Sequence, residues 1–199
     1  MNTPAHLIFG LAAFGHPKAP KVTACALLGS IIPDLSLYFL AGTHLFVMGT
    51  PPEEVFGRLY FSAAWQQIFS VDNSFVLWTV ALILALWARQ ESNDARYDWA
   101  VALCGAAMLH LALDFPLHAE DARAHFWPLS SWVFHSPLSY WDSRHYGAMI
   151  GVIEALSVAG LSVFLWRRFG GWRMRAAIAV LVLVEIVPRL MFIGGGPAA

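Results

Sequence analysis

Residues 99–125 read WAVALCGAAMLHLALDFPLHAEDARAH, and this stretch decides how the rest of the chain is interpreted. Its first part is apolar and long enough for a helix that spans a bilayer. From His110 to His125 it carries three histidines and three acidic residues. Because titratable groups are costly in hydrocarbon, they must be satisfied by partners, by water or by a metal ion. We therefore expect a functional site at the end of this helix.

The composition of the whole chain is typical of a membrane protein. Of 199 residues, 58% are hydrophobic and 13% are charged, and the formal net charge is −1. These values lie outside the range of ordinary soluble domains. A chain without a basic stripe is not expected to bind nucleic acid. No linker or repeat divides the sequence, so we predict a single domain over residues 1–199. Cys25 and Cys104 lie in apolar segments and are expected to be buried thiols.

Apolar segments of sufficient length predict five membrane-spanning helices. They are Val22–Ala41, Asn73–Ala88, Trp99–Leu117, Tyr146–Trp166 and Ala176–Ile193. The segment Pro4–Phe14 is apolar but only about half as long, which predicts a half-helix that enters the membrane part way. The expected fold is an all-α, polytopic membrane helical bundle, with about five spanning helices plus this short N-terminal half-helix.

Basic residues are distributed unevenly between the two sets of loops. One set holds eight of them, namely Lys18, Lys21, Arg89, Arg96, Arg167, Arg168, Arg173 and Arg175. The opposite set holds Arg58, Arg123 and Arg144. Since cytoplasmic loops concentrate Lys and Arg, the first set is predicted to face the cytoplasm. The loops Gly42–Asp72 and His118–His145 then face outward, toward the periplasm of a bacterial inner membrane.

The outward loop over about residues 118–145 is rich in aromatic side chains. Rings of this kind lie at the level of the lipid headgroups. Two interpretations remain open for them: an interfacial cap over the site, or an ordinary aromatic belt at the ends of the spans.

Polar residues inside the spans are the candidates for the site. His110 and Asp114 are four residues apart, so on a helix they share a face and either bond each other or chelate one ion. Pro116 should kink or end that helix before His118. Asp121 and His125 follow His118 by three and seven residues, so a short helix would place all three on one side.

Other polar positions allow more than one interpretation. Pro33 interrupts the first span beside Asp34, which either forms a ligand site, caps a helical segment or pairs with Arg189. Glu185 and Arg189 are four apart and form a simple ion pair, or Arg189 holds a phosphate or carboxylate of a substrate.

Three further polar residues receive weaker assignments. Asp72 and Asn73 open the second span, where they cap its first turn or support a nearby ligand. Glu154 receives no single role, since a ligand, a proton carrier and a packing residue are equally compatible with its position.

Two pairs of motifs resemble the YdjM-type family of bacterial inner-membrane proteins, which are predicted metal-dependent hydrolases. They are TPAH (residues 3–6) with LLGSIIPDL (residues 27–35), and HLALD (residues 110–114) ahead of FWPL (residues 126–129). The resemblance covers most of the chain. It implies metal ligation by His6, Asp34, His110 and Asp114. Where that family has a Thr-His-Ser motif, this chain reads Asp72-Asn73-Ser74.

Together, the residues and the resemblance predict a membrane-bound metal-dependent hydrolase. Its divalent ion, expected to be zinc, would be held by those four residues with His118 as a further ligand. Asp121 or His125 would relay protons, and the substrate would be a lipid-like or membrane-associated phosphoester or amide. Two other classes remain open: an ion- or proton-coupled transporter using the same residues, and a noncatalytic scaffold. The oligomeric state is not predicted.

Overall fold

The part of the chain that the structure describes is built from helices. This computed structural model describes residues 1–92 and 97–194, with side chains everywhere in these ranges except at 92 and 189–194. No strand occurs in this part of the chain, which confirms the predicted all-α class. The α-helices are α1 (Thr3–Phe14), α2 (Pro20–Gly29), α3 (Leu35–Gly42), α4 (Pro52–Glu54), α5 (Ala63–Asp72), α6 (Phe75–Ser92), α7 (Asp98–Asp114), α8 (Gly147–Arg168) and α9 (Trp172–Gly194).

Four helical stretches are long and apolar enough to cross a bilayer. They are Pro20–Val47, Ala63–Glu91, Asp98–Leu117 and Gly147–Arg168. Each contains most or all of one of the first four predicted spans. The fifth predicted span falls in α9, and its positions from 189 onward lie outside the residues with described side chains. The short N-terminal helix is α1, with 12 residues.

The segment Gly42–Asp72, expected as an outer loop, is instead largely helical. A π-helical turn over Thr43–Val47 extends α3, and a second such turn over Val55–Leu59 follows α4. The helix α5 then leads to α6. Buried side chains of this segment pack with one another and with Ala41 of α3. They form a second, small core, consisting of Ala41, Val55, Tyr60, Trp65 and Phe69.

The short helix α1 lies in the centre of the bundle. It packs against α2, α7, α8 and α9. Its buried Ile8 and Leu11 join a core with Val158 and Leu165 from α8 and Ile178 from α9. Because α1 touches four helices, a polar residue on it can meet partners from several of them at once.

The helices α2 and α7 approach each other closely. A Cβ built on Gly29 would lie 2.1 Å from the carbonyl oxygen of Leu103, so only glycine fits at this crossing. At one end of the bundle Arg168 donates to the carbonyls of Ala12 and Gly15, and Lys21 lies over the Trp99 ring. This end carries the basic loops, and the polar residues of interest lie at the other.

The predicted break beside Asp34 is present. α2 ends at Gly29, a 3-10 turn covers Ile32–Asp34, and α3 begins at Leu35. The carbonyl of Pro33 accepts a hydrogen bond from Asn73 Nδ2 at 2.7 Å. The polar group freed by the break is therefore satisfied by a neighbouring helix end, as membrane proteins require.

Candidate metal site

Two buried imidazoles lie at the heart of the site. The rings of His6 and His110 stack with their centroids 3.6 Å apart and their planes within 11° of parallel. His110 Nδ1 lies 2.8 Å from the carbonyl oxygen of Ser30, which can only accept, so Nδ1 carries the proton. In the neutral ring Nε2 then holds a lone pair that is free to bind a cation.

Histidine nitrogens converge on the buried carboxylate of Asp114. His6 Nε2 lies 3.0 Å from Oδ1, while His110 Nε2 and His118 Nε2 lie 3.4 Å and 3.2 Å from Oδ2. Neither the His6 nor the His110 Nε2 makes a hydrogen bond with any described residue. Ligand atoms on a tetrahedral zinc ion lie about 3.3 Å apart. The spacing therefore suits a shared ion.

We call His6, His110 and Asp114 the His/Asp group. One donor atom from each lies within 4.8 Å of the other two, and all three side chains are buried. Imidazole and carboxylate ligands together suit zinc and similar divalent ions. The group can thus hold a metal ion. The α-amino group of Met1 also forms an ion pair with Asp114 Oδ1, and a metal ion would compete with it.

Asp34 lies beside the His/Asp group. Its Oδ2 is 3.7 Å from His110 Nε2, and its Oδ1 accepts a hydrogen bond from Arg123 Nη1 at 3.1 Å. One carboxylate is therefore shared between the His/Asp group and a buried guanidinium. Its predicted pairing with Arg189 falls on a side chain outside the described residues.

His118 reaches the site from the segment after α7. The helix α7 ends at Asp114, and a 3-10 turn over Phe115–Leu117 that contains Pro116 follows it, yet His118 still contacts Asp114. His118 Nδ1 bonds Asp121 Oδ2 at 2.8 Å, and Trp141 Nε1 donates to the same oxygen at 3.1 Å. Burial lowers the pKa of His118, but the Asp114 and Asp121 carboxylates outweigh it and raise that pKa overall.

His125 is not brought to this site. Its Nδ1 contacts the carbonyl of Asn73 at 2.9 Å, and its ring packs against those of Phe75 and Phe115. The segment from His118 consists of bends and turns rather than a helix, so the predicted common side for His118, Asp121 and His125 does not form. Asp121 contacts His118 and is therefore placed for the predicted proton relay. His125 has no contact with the His/Asp group.

Asp72 and Asn73 support the region around Asp34. Asp72 Oδ2 accepts from the backbone N–H of Ser36 at 3.1 Å. Asn73 Oδ1 accepts from Arg123 Nη1 at 2.7 Å, while its amide nitrogen reaches the Pro33 carbonyl. The expected cap of the second span is provided instead by Ser74, whose Oγ accepts from the N–H of Leu77.

Two further buried carboxylates approach the start of α1. Glu154 on α8 accepts from the backbone N–H of Asn2 at 2.7 Å, and Glu185 on α9 accepts from the Asn2 side chain at 3.2 Å. The predicted pairing of Glu185 with Arg189 again falls outside the described side chains. Both glutamates thus help to fix the N-terminus of α1, the helix that carries His6.

A cavity of about 320 Å³ opens next to Asp114 and Asp34. Sequence reasoning missed three of its lining residues, namely Tyr38, Tyr60 and Arg123. Arg123 is counted only as a loop charge in the sequence, since nothing local marks it as buried.

Two other residues that line the cavity, Tyr140 and Trp141, belong to the aromatic loop 118–145. They bring that loop to the cavity, whereas Phe126, Trp132 and Phe134 pack around Phe115 and one another.

The fold and this site define a class: a small helical membrane protein with a buried His/Asp group that can hold a metal ion. Comparison of the chain with known protein families, with curated proteins and with solved structures finds no match.

Proposed function

We propose that this protein is a membrane-bound metal-dependent hydrolase acting on a lipid-like or membrane-associated phosphoester or amide. The observation that carries the proposal is the convergence of the His6 and His110 Nε2 atoms on Asp114, beside an open cavity. Buried histidine nitrogens without hydrogen bonds are costly unless a ligand satisfies them. A zinc or similar ion held there would lower the pKa of a bound water and polarise the scissile group.

The surrounding residues have distinct roles in this proposal. His118 completes the ligand set, and Asp121 fixes its orientation by accepting from Nδ1. Asp121 Oδ1 has no hydrogen-bond partner among the described residues, and it takes up a proton released in the reaction. Asn73 occupies the position where the YdjM-type family, which this chain resembles, has a histidine. Its side-chain oxygen accepts a hydrogen bond from Arg123.

The cavity suits a substrate that arrives from the bilayer. Its wall includes Leu37, Phe56, Phe61 and Trp141, and the last three side chains are well exposed at the surface. Apolar surface of this kind is compatible with acyl chains. We further propose that the protein resides in a bacterial inner membrane with this cavity facing the periplasm, because the basic loops lie at the opposite end.

Metal analysis of the purified protein tests the proposal. Wild type should carry about one divalent ion per chain, and His110→Ala and Asp114→Asn should lose it. His16→Ala is the matched control, since His16 lies in the connection between α1 and α2 at the basic end. Size-exclusion profiles and circular dichroism establish that each variant is folded.

An activity measurement completes this test. Wild type in phospholipid nanodiscs should release hydrolysis products detectable by mass spectrometry, and EDTA should abolish their release. A wild type without stoichiometric metal, or full metal in both site variants, contradicts the proposal.

A proton- or cation-coupled transporter is the second candidate function. It is favoured by Glu154 and Glu185, two buried carboxylates that accept hydrogen bonds from Asn2, the neighbour of the Met1 amino group that pairs with Asp114. Reconstitution into liposomes with a pH-sensitive dye distinguishes the two functions. Flux that is lost in Glu154→Gln, with no hydrolysis product, supports the transporter instead.

A further inference from the structure

Arg123 is a buried guanidinium in the lining of the cavity. Its side chain comes from the segment after α7, outside the four candidate spans, and the residue is only 4% exposed. The guanidinium lies against the face of the Phe69 ring, 5.2 Å from its centroid. A charge this deep requires partners for its five N–H donors, since unpaired buried donors are costly.

The partners of Arg123 satisfy only one side of the guanidinium. Nη1 donates to Asp34 Oδ1 at 3.1 Å and to Asn73 Oδ1 at 2.7 Å. Nη2 has a long contact of 3.5 Å to the Tyr60 hydroxyl, and Nε has no partner among the described residues. The edge formed by Nε and Nη2 is therefore nearly unused. This edge presents two parallel N–H groups, the geometry that binds a carboxylate or phosphate in bidentate fashion.

Asp34 connects this edge to the His/Asp group. One of its oxygens faces Arg123 and the other lies 3.7 Å from His110 Nε2. A ligand on Arg123 would consequently lie one carboxylate away from the proposed metal ion. In sites that act on phosphoesters, a guanidinium and a metal ion commonly bind the same phosphate.

We propose that the Nε/Nη2 edge of Arg123 binds the phosphate of the substrate, which makes the substrate an anionic phosphoester rather than an amide. The inference rests on the proposed function and specifies its substrate class. The apolar wall beside Arg123 favours a phosphate carried on a lipid, although a free phosphate offers the same oxygens to the guanidinium.

Binding of inorganic phosphate, measured by calorimetry on the purified protein, tests this inference. Arg123→Lys keeps the charge but cannot form two parallel hydrogen bonds, so the affinity should fall at least about tenfold. Arg144→Lys is the matched control, because Arg144 is an exposed arginine paired with Asp142. The phosphate affinity of this variant should equal that of wild type. Equal affinity in wild type and Arg123→Lys overturns the inference, as does a wild type that binds no phosphate.

A second variant protects the test against misfolding. Asp34→Asn combined with Arg123→Gln removes both charges of the buried pair, so neither is left uncompensated. In EDTA-treated protein, where phosphate cannot contact a metal ion, wild type should still bind phosphate and the double variant should not. Binding by both proteins contradicts a role for Arg123.

The source of the phosphate is read from the same proteins in nanodiscs. Tighter binding to discs containing phosphatidate than to inorganic phosphate, lost in Arg123→Lys, assigns the site to a lipid headgroup. Equal affinity for the two, again lost in Arg123→Lys, assigns it to free phosphate. Metal content is measured in parallel. Retained metal in Arg123→Lys with lost phosphate binding supports the anion site, whereas absence of metal from wild type refutes the proposed function alone.

Discussion

The His125 imidazole is held in surroundings that oppose its protonation. Burial is the main cause that lowers its pKa to about 4; the hydrogen bond to the Asn73 carbonyl opposes it, and the positive charges of Arg123 and His118 add to it. At neutral pH the ring is therefore uncharged. The His125 ring packs against Phe75 and Phe115, away from the His/Asp group.

This low pKa predicts a pH dependence of stability. Unfolded protein binds a proton at His125 near pH 6.5 whereas folded protein does so only near pH 4, so folding is disfavoured as the pH falls through this window. Wild type should lose about 3 kcal/mol more than His125→Gln between pH 7 and pH 4. Unfolding in mixed detergent and SDS micelles measures both proteins. Because the two share every other titratable group, parallel pH profiles would show that His125 titrates normally.

At the level of residues, the sequence predicted contacts that depend on local spacing and missed those that depend on the tertiary fold. His110 and Asp114 are four apart on one helix and do lie together. His118 and His125 were expected to share a side, but the chain between them is not helical, so helical spacing does not apply. Arg123 lies close to His118 and His125 in the sequence, but its burial depends on Asp34 and Asn73, which are far from it in the sequence.

The crossing of α2 and α7 positions two parts of the site. α2 leads into the broken segment with Asp34, and α7 carries His110 and Asp114. Their backbones come close at Gly29, where an added methyl would overlap the carbonyl of Leu103. The distance between the two elements therefore depends on the absence of a side chain at this position.

Gly29→Ala should consequently separate the two helices and destabilise the protein by about 1–3 kcal/mol. Gly160→Ala in α8 is the matched control, since nothing lies within 4 Å of its added Cβ, and it should be neutral or slightly stabilising. Thermal unfolding followed by circular dichroism compares the two. An unchanged Tm for Gly29→Ala would mean that the crossing can widen without loss.

At the level of elements, long apolar segments and proline breaks were predictable, and short helices were not. The four candidate spans follow from hydrophobic length, and the break at Pro33 follows from its missing N–H. The helix α4 has only 3 residues and gives no span signal, and α5 extends the candidate span Ala63–Glu91 ahead of the predicted start at Asn73. They also lie in a segment interrupted by Pro51, Pro52 and Gly57. Their stability comes from packing around Val55 and Phe69, which no local pattern reveals.

For the whole molecule, the distribution of charge predicts its orientation in the membrane. The basic connection between α8 and α9 should face the cytoplasm, and the segment Ser143–His145 should face outward. Ser143→Cys should react with a membrane-impermeant maleimide in intact spheroplasts. Gly170→Cys should react only after permeabilisation. The native Cys25 and Cys104 are buried and should give little background. Labelling of the two variants in the reverse order would invert the assigned orientation.

The two oxygens of Asp34 serve different neighbours, Arg123 on one side and His110 on the other. A single negative charge divided in this way is drawn more strongly toward whichever side becomes more positive. A cation at the histidines would draw that charge from the guanidinium and strengthen its hold on an anion. By thermodynamic linkage the anion must then strengthen the hold on the cation by the same factor. The carboxylate would thus couple the two proposed binding events, and neither affinity would have a fixed value until the other occupancy is specified.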